Sequence, residues 1–172
     1  MGLGGGLIIF DKIDNSSINS IIMFNFPPSL KKDMIDYDKF EKSLQHLVSQ
    51  FDNYQNSDKR DLPEIDKEAI SESVIQRFET CYDSLWKVLK RYLNEELGIP
   101  EVPNSPKPIF QMAFENKLFT SDIMQWKKYA DARIGTSHDY SSDKAEEALD
   151  IMEDFIADAI DLYILMTGKT WE

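Results

Sequence analysis

A single apolar stripe constrains this chain more than any other feature. Ile70, Val74, Phe78, Tyr82, Leu85, Leu89 and Leu93 recur at spacings of three and four residues. That is the signature of one face of an α-helix, here running from about Lys67 to Leu97. Gly98 suits the left-handed position just past a helix end, and Pro100 cannot continue a helix. A stripe this long is stable only when other apolar faces cover it, so the chain must supply helices to pack against it or borrow them from another copy.

It supplies several. Phe40, Leu44, Leu47, Val48 and Phe51 mark a helix from about Tyr37 to Asn53. After the loop "IPEVPN", Ser105 is placed to cap a third helix with Pro106 in its first turn, and Ile109, Phe110, Ala113 and Phe114 form its apolar side. Ile123, Trp126, Tyr129 and Ala130 carry a fourth from near Ser121 toward Arg133. A fifth runs from Ser142 or Asp143 to about Met166, with Ala145, Leu149, Met152, Ile156, Ala159 and Tyr163 inward and its acidic residues outward. No two-residue alternation follows residue 35. The expected fold is all-α, an antiparallel up-down bundle of about five helices, with residues 34–172 forming the bundle. Residues 1–33 read as an appendage: the glycines of "GLGGG" match no nucleotide-binding loop, and the patches "LIIF" and "IIMFNF" suit a hairpin or a docking arm.

Charge and cysteine content narrow the function. The formal net charge is −12, which repels phosphate backbones and disfavours broad nucleic-acid binding. Cys81 is the only cysteine, so no internal disulfide exists, as expected for a reducing cytoplasm. Two histidines and one cysteine fall short of the roughly four ligands of a structural zinc site, so no metal is expected. No apolar run approaches the ~20 residues of a membrane span, and "LIIF" has no basic segment before it, as a signal peptide requires.

The segment "RIGTSHDY", Arg133 to Tyr140, holds one of the two histidines. On an unbroken helix Arg133 and His138 lie about 140° apart and do not converge. Gly135 costs a helix roughly 1 kcal/mol relative to alanine, and the residues after His138 favour turns, so the helix is expected to end or distort here. Arg133 and His138 then meet at the helix end or across a twofold. Arginine holds phosphate bidentately and histidine moves protons near neutrality. The plainer reading pairs Arg133 with a carboxylate and puts His138 at a helix end. By local pattern alone, the plainer reading is favoured.

Three segments together change that weighting. "SVIQRFETCYDSLWKVLKRYL", "NSPKPIFQMAF" and the Arg-x4-His-x-Tyr element ahead of the last helix resemble the nucleotidyltransferase substrate-binding proteins of the HEPN superfamily. The resemblance covers about residues 37–166. It implies a homodimeric helical bundle and, as partner, a minimal nucleotidyltransferase encoded nearby. Many HEPN proteins are metal-independent ribonucleases, and in toxin–antitoxin pairs of this kind the partner uses ATP to add AMP to the motif tyrosine. The resemblance therefore implies Arg133 and His138 as catalytic residues at a dimer cleft, with RNA as substrate, and Tyr140 as the modified residue. An added AMP would set a bulky anion beside His138 and repel a substrate phosphate.

One position departs from that pattern. The residue after the motif arginine is commonly polar in the family, and here it is Ile134. This weighs toward the alternative, a non-catalytic partner of the nucleotidyltransferase. Arg77 and Glu79 on the long helix, with Ser137 and Asp139 in the motif, are the further candidates for lining a cleft. Lys87, Lys90, Arg91, Lys127 and Lys128 are read as a solvated face, Trp86 and Trp126 as core or dimer interface, His46 as structural and Cys81 as a small buried apolar residue.

Overall fold

The computed structural model describes residues 34–138 and 142–171, with side chains for all of these except residues 137, 138 and 142. Residues 35–172 form one compact unit. The expectations for residues 1–33 lie outside the described residues.

The described residues are all-helical: α1 (Asp38–Gln55), α2 (Glu64–Arg91), α3 (Pro106–Glu115), α4 (Ile123–His138), α5 (Ser142–Asp150) and α6 (Met152–Thr167), with a short 3₁₀ turn at Ser57–Lys59. None is long and apolar enough to cross a membrane. The central element is α2. It packs along α1 and touches α3, α4 and α5, while α6 lies on α1.

The stripe explains why α2 is central. Val74, Phe78, Tyr82, Leu85, Leu89 and Leu93 are all buried, and Ile75, Cys81 and Val88 widen the face. Against it sit Phe40, Leu44 and Leu47 of α1, Ile109, Phe110 and Ala113 of α3, and Trp126, Tyr129 and Ala130 of α4. Aromatic rings join four helices: Phe155 of α6 meets Phe78 edge-on at 4.9 Å and Tyr129 at 5.2 Å, and Phe110 meets Tyr82 at 5.7 Å. Each such pair adds about 0.5–1.5 kcal/mol beyond its area burial. Trp126 stacks on Phe119 at 3.8 Å and is a core residue.

Between α1 and α2 the core holds one polar pair. The Ser43 and Ser84 hydroxyls are 2.7 Å apart, and they also bond the Phe40 and Cys81 carbonyls, respectively. Both residues are therefore satisfied although buried. Burial also pushes the neighbouring Cys81 thiol up to about 12, as expected for an inert core thiol.

Three boundaries and the burial of two residues differ from the sequence expectation. The first is at the end of α2, which widens into a π turn over Tyr92–Glu96, with Leu97 N–H donating to the Tyr92 carbonyl at 3.1 Å. Gly98 then takes the left-handed conformation (φ 68°) and Ile99 N–H closes onto the Leu93 carbonyl. Second, α4 does not stop near Arg133: it continues through Gly135 to His138. Third, the last predicted helix is two, parted at Ile151, which gives six helices among the described residues. Its buried face is Ala148, Met152, Phe155, Ala159 and Leu162 with Tyr163 and Met166, so the register differs by one residue at Leu149 and Ile156. The two residues are Phe114 of α3 and His46 of α1, both exposed.

The acidic face of α6 is also not wholly turned to water. Asp154, Asp158 and Asp161 fall at i, i+4 and i+7, on one face. They accept bonds from Gln125, Tyr129 and Thr120 on or beside α4 at 3.4, 2.6 and 3.0 Å. This ladder fixes α4 against α6.

Candidate functional site

The site builds from two short helical spacings. Glu79 and Asp83 are four apart on α2, so they share one face; Arg133 and Thr136 are three apart on α4 and do likewise. Where the helices cross, Arg133 Nη1 lies 3.4 Å from Glu79 Oε1, and Nη2 lies 3.3 Å from Asp83 Oδ2. The Thr136 hydroxyl donates to the same Glu79 oxygen at 2.7 Å.

The distances rank these contacts. The threonine bond is short, and Thr136 is almost fully buried. The arginine contacts are longer than the ~2.7–2.9 Å of a tight guanidinium–carboxylate pair. Glu79 is thus anchored by Thr136, and Arg133 reaches both carboxylates. The Arg133 side chain keeps 22% of its surface open to solvent, against 43% for Asp83.

Arg133 stands at the edge of a groove of about 580 Å³ between α2, α3 and α4. Its apolar walls come from Tyr82, Trp86, Pro106, Pro108, Ala130 and Ile134, and Asp83 and Lys107 stand at its rim with Arg133. Lys107 pairs with Asp131 at 2.6 Å, tying α3 to α4. Burial, reinforced by the Asp83 charge and opposed by Arg133, raises the proton affinity of the Tyr82 phenol. It is a neutral wall of the groove at any ordinary pH.

Of the predicted site residues, the structure brings together Arg133 and Glu79. Arg77, two residues earlier on α2, is exposed and makes none of these contacts. His138 is the last residue of α4. Because that helix is continuous, positions 133 and 138 are about 140° apart around its axis. The His138 and Ser137 side chains, Asp139 and Tyr140 lie outside the described residues. Sequence reasoning missed Asp83, Thr136 and Lys107. The Glu79–Asp83 spacing at the edge of the apolar stripe was a usable signal for the first; nothing local marked the other two.

Among the lysines and arginines read as a solvated face, Lys90 bonds Asn104 and Arg91 pairs with Glu95 one turn on. Lys87 lies 5.6 Å from the centre of the Trp86 ring.

Comparison with known proteins bears on this arrangement. The profile of the family described as nucleotidyltransferase substrate binding protein like matches residues 35–167. A crystal structure of a protein from Thermus thermophilus superposes with a TM-score of 0.62 at 23% sequence identity, covering 74% of this chain and 98% of that one. That likeness is one of fold. No curated protein matches the chain.

Proposed function

Since the chain belongs to the nucleotidyltransferase substrate-binding protein-like family, with its HEPN-like fold, we propose that it acts as the binding partner of a nucleotidyltransferase. The observation that carries this reading is the family match across almost the whole described bundle, residues 35–167. The Arg133-edged groove supports it: a concavity of this size, apolar with a few charged groups at its rim, is the usual form of a binding site. The departure at Ile134 supports it as well. That side chain is 53% exposed, an apolar surface beside the arginine where a polar helper would serve cleavage better. A reducing cytoplasm suits a chain whose one cysteine is buried and unbridged.

The test is co-purification with the minimal nucleotidyltransferase encoded beside it, followed by intact mass after incubation with ATP. A stable complex is expected. Absence of any complex at micromolar concentrations contradicts the reading. A gain of AMP on the parent but not on Tyr140→Phe assigns the modification to Tyr140.

A second reading makes the protein a metal-independent ribonuclease toxin silenced by that modification. The place of Arg133 favours it, because a guanidinium at the edge of an open groove is positioned to meet a substrate phosphate. Arg133 would then stabilise charge on the phosphoryl group while the RNA 2′-hydroxyl attacks the adjacent phosphorus and the bond from phosphorus to the 5′-oxygen breaks, and His138 would take the proton from the 2′-hydroxyl or give one to the leaving 5′-oxygen. On a continuous helix the two positions serve one phosphate only if two copies contribute, which is the homodimeric arrangement. Arg133→Ala and His138→Ala should each abolish RNA cleavage by the unmodified protein. Parent-like cleavage by either rules this mechanism out.

A further inference from the structure

A second concavity, of about 460 Å³, lies where the end of α6 meets the start of α1. Glu41 and Gln45 stand one turn apart on α1 and so share a face. Beside them α6 ends at Gly168, whose left-handed backbone (φ 68°) turns the chain out of the helix. Lys169, Thr170 and Trp171 then complete the lining, with Tyr163 of α6 as its buried wall. The Lys169 N–H donates to the Thr167 hydroxyl at 3.1 Å, and the Trp171 ring meets Tyr163 edge-on at 5.4 Å, so this last segment has a fixed place.

The charged lining of this pocket is one carboxylate and one ammonium, and they answer each other. The Tyr163 hydroxyl donates to Glu41 Oε2 at 2.7 Å, and Lys169 Nζ lies 3.7 Å from the same oxygen. The remaining polar groups are neutral and mixed. The Gln45 amide, the Thr170 hydroxyl and the Trp171 indole N–H make no hydrogen bond to another described residue. Together they offer donors and acceptors side by side, next to the rings of Tyr163 and Trp171. A ligand hydroxyl both donates and accepts, so several hydroxyls on one small carbon frame match such a lining. A wholly apolar ligand would cover these groups without bonding them, at a cost for each.

We propose that this pocket binds an uncharged, polyhydroxylated ligand of monosaccharide size, with Gln45 and Thr170 bonding its hydroxyls and Trp171 packing on its C–H face. The volume falls within the roughly 300–1,000 Å³ of small-molecule sites. The assignment goes beyond the partner reading and does not depend on it. Lys169, Thr170 and Trp171, half of the lining, lie past residue 167, where the family match ends. The pocket is therefore read from this chain's own residues and not from the family.

The experiment is saturation-transfer-difference NMR of the full chain with glucose, galactose and ribose, and with zwitterionic glycine as the charged probe. Parent, Gln45→Ala, Trp171→Ala and Met124→Ala are compared at low and high salt, with the melting midpoint of each recorded. At least one of the sugars is expected to bind with a Kd on the order of 1 mM. Its affinity should be the same at both salt concentrations, because the ligand carries no charge. Gln45→Ala should raise that Kd about fivefold, with the fold intact because the side chain is exposed. Trp171→Ala should abolish the signal, and Met124→Ala, exposed and outside the pocket, should bind like the parent. No transfer to any of these sugars at about 10 mM, well above that Kd, overturns the proposal. A sugar signal that survives both Gln45→Ala and Trp171→Ala places the ligand elsewhere and overturns it too. Binding of glycine without any sugar makes the Glu41–Lys169 pair the recognition element, and likewise overturns it.

Discussion

Thr136 shows how one hydroxyl can decide what a neighbouring charge does. It is nearly fully buried, and its bond to Glu79 is the shortest in the cluster. The glutamate is therefore fixed before Arg133 is considered, and the arginine contacts at 3.3 and 3.4 Å are added to it. Thr136→Val keeps the shape and removes the donor. It should cost about 1 kcal/mol, seen as a melting midpoint lower by a few degrees; a midpoint equal to the parent's would show that Arg133 alone holds Glu79. The sequence points to Arg133 and Glu79 as interesting but not to their pairing. They are distant in the chain, and only the crossing of α2 and α4 makes them neighbours.

At the scale of elements, the stripes of α1 and α2 were readable because most of their apolar residues at helical spacing are buried, with Val48, Phe51 and Ile70 partly so. The failures came where tertiary contact outweighed local preference. Gly135 reads as a helix end, since it costs roughly 1 kcal/mol. Yet the buried Thr136 and the Arg133 contacts hold the backbone of α4 helical on both sides of it. Among the described residues, a methyl group at position 135 would meet the Lys144 Cδ, at 3.3 Å, on a flexible side chain. Gly135→Ala should therefore stabilise the protein by up to about 1 kcal/mol, measured by urea unfolding. A destabilised variant would mean that Lys144 cannot give way. The break at Ile151 had no glycine or proline to announce it, and the one-residue shift in the buried face of α5 and α6 follows from a turn that periodicity alone cannot see.

At the scale of the whole molecule, four buried or half-buried tyrosines share a bias. Burial is the leading cause in each, and it holds the phenols of Tyr37 and Tyr163 up to about 12, with Tyr82 and Tyr129 raised as well. Below pH 10, the ordinary tyrosine value, both folded and unfolded chains keep these protons, and nothing is lost. Between 10 and about 12 the unfolded chain releases them more readily, so stability falls as pH rises. Tyrosinate absorbance and loss of helical circular dichroism should then appear together above pH 10. Ionisation of all the tyrosines near 10 with the helices intact would contradict this. The all-helical fold was legible from the stripes, and the groove was not, because its walls come from three helices whose crossing no spacing encodes.

The π turn at Tyr92–Glu96 gives the long helix slack. A turn closed by an i to i+5 bond holds more residues than an α-turn. Losing one residue there can restore ordinary pitch while Leu93 and everything before it stay in phase. The same deletion at Thr80 would swing half of the apolar stripe by about 100°, out of the core. Chains of this fold should accordingly survive a change of length at the end of α2 and nowhere earlier in it. Thermal melts of the two single-residue deletions would show whether the helix can be shortened from that end alone.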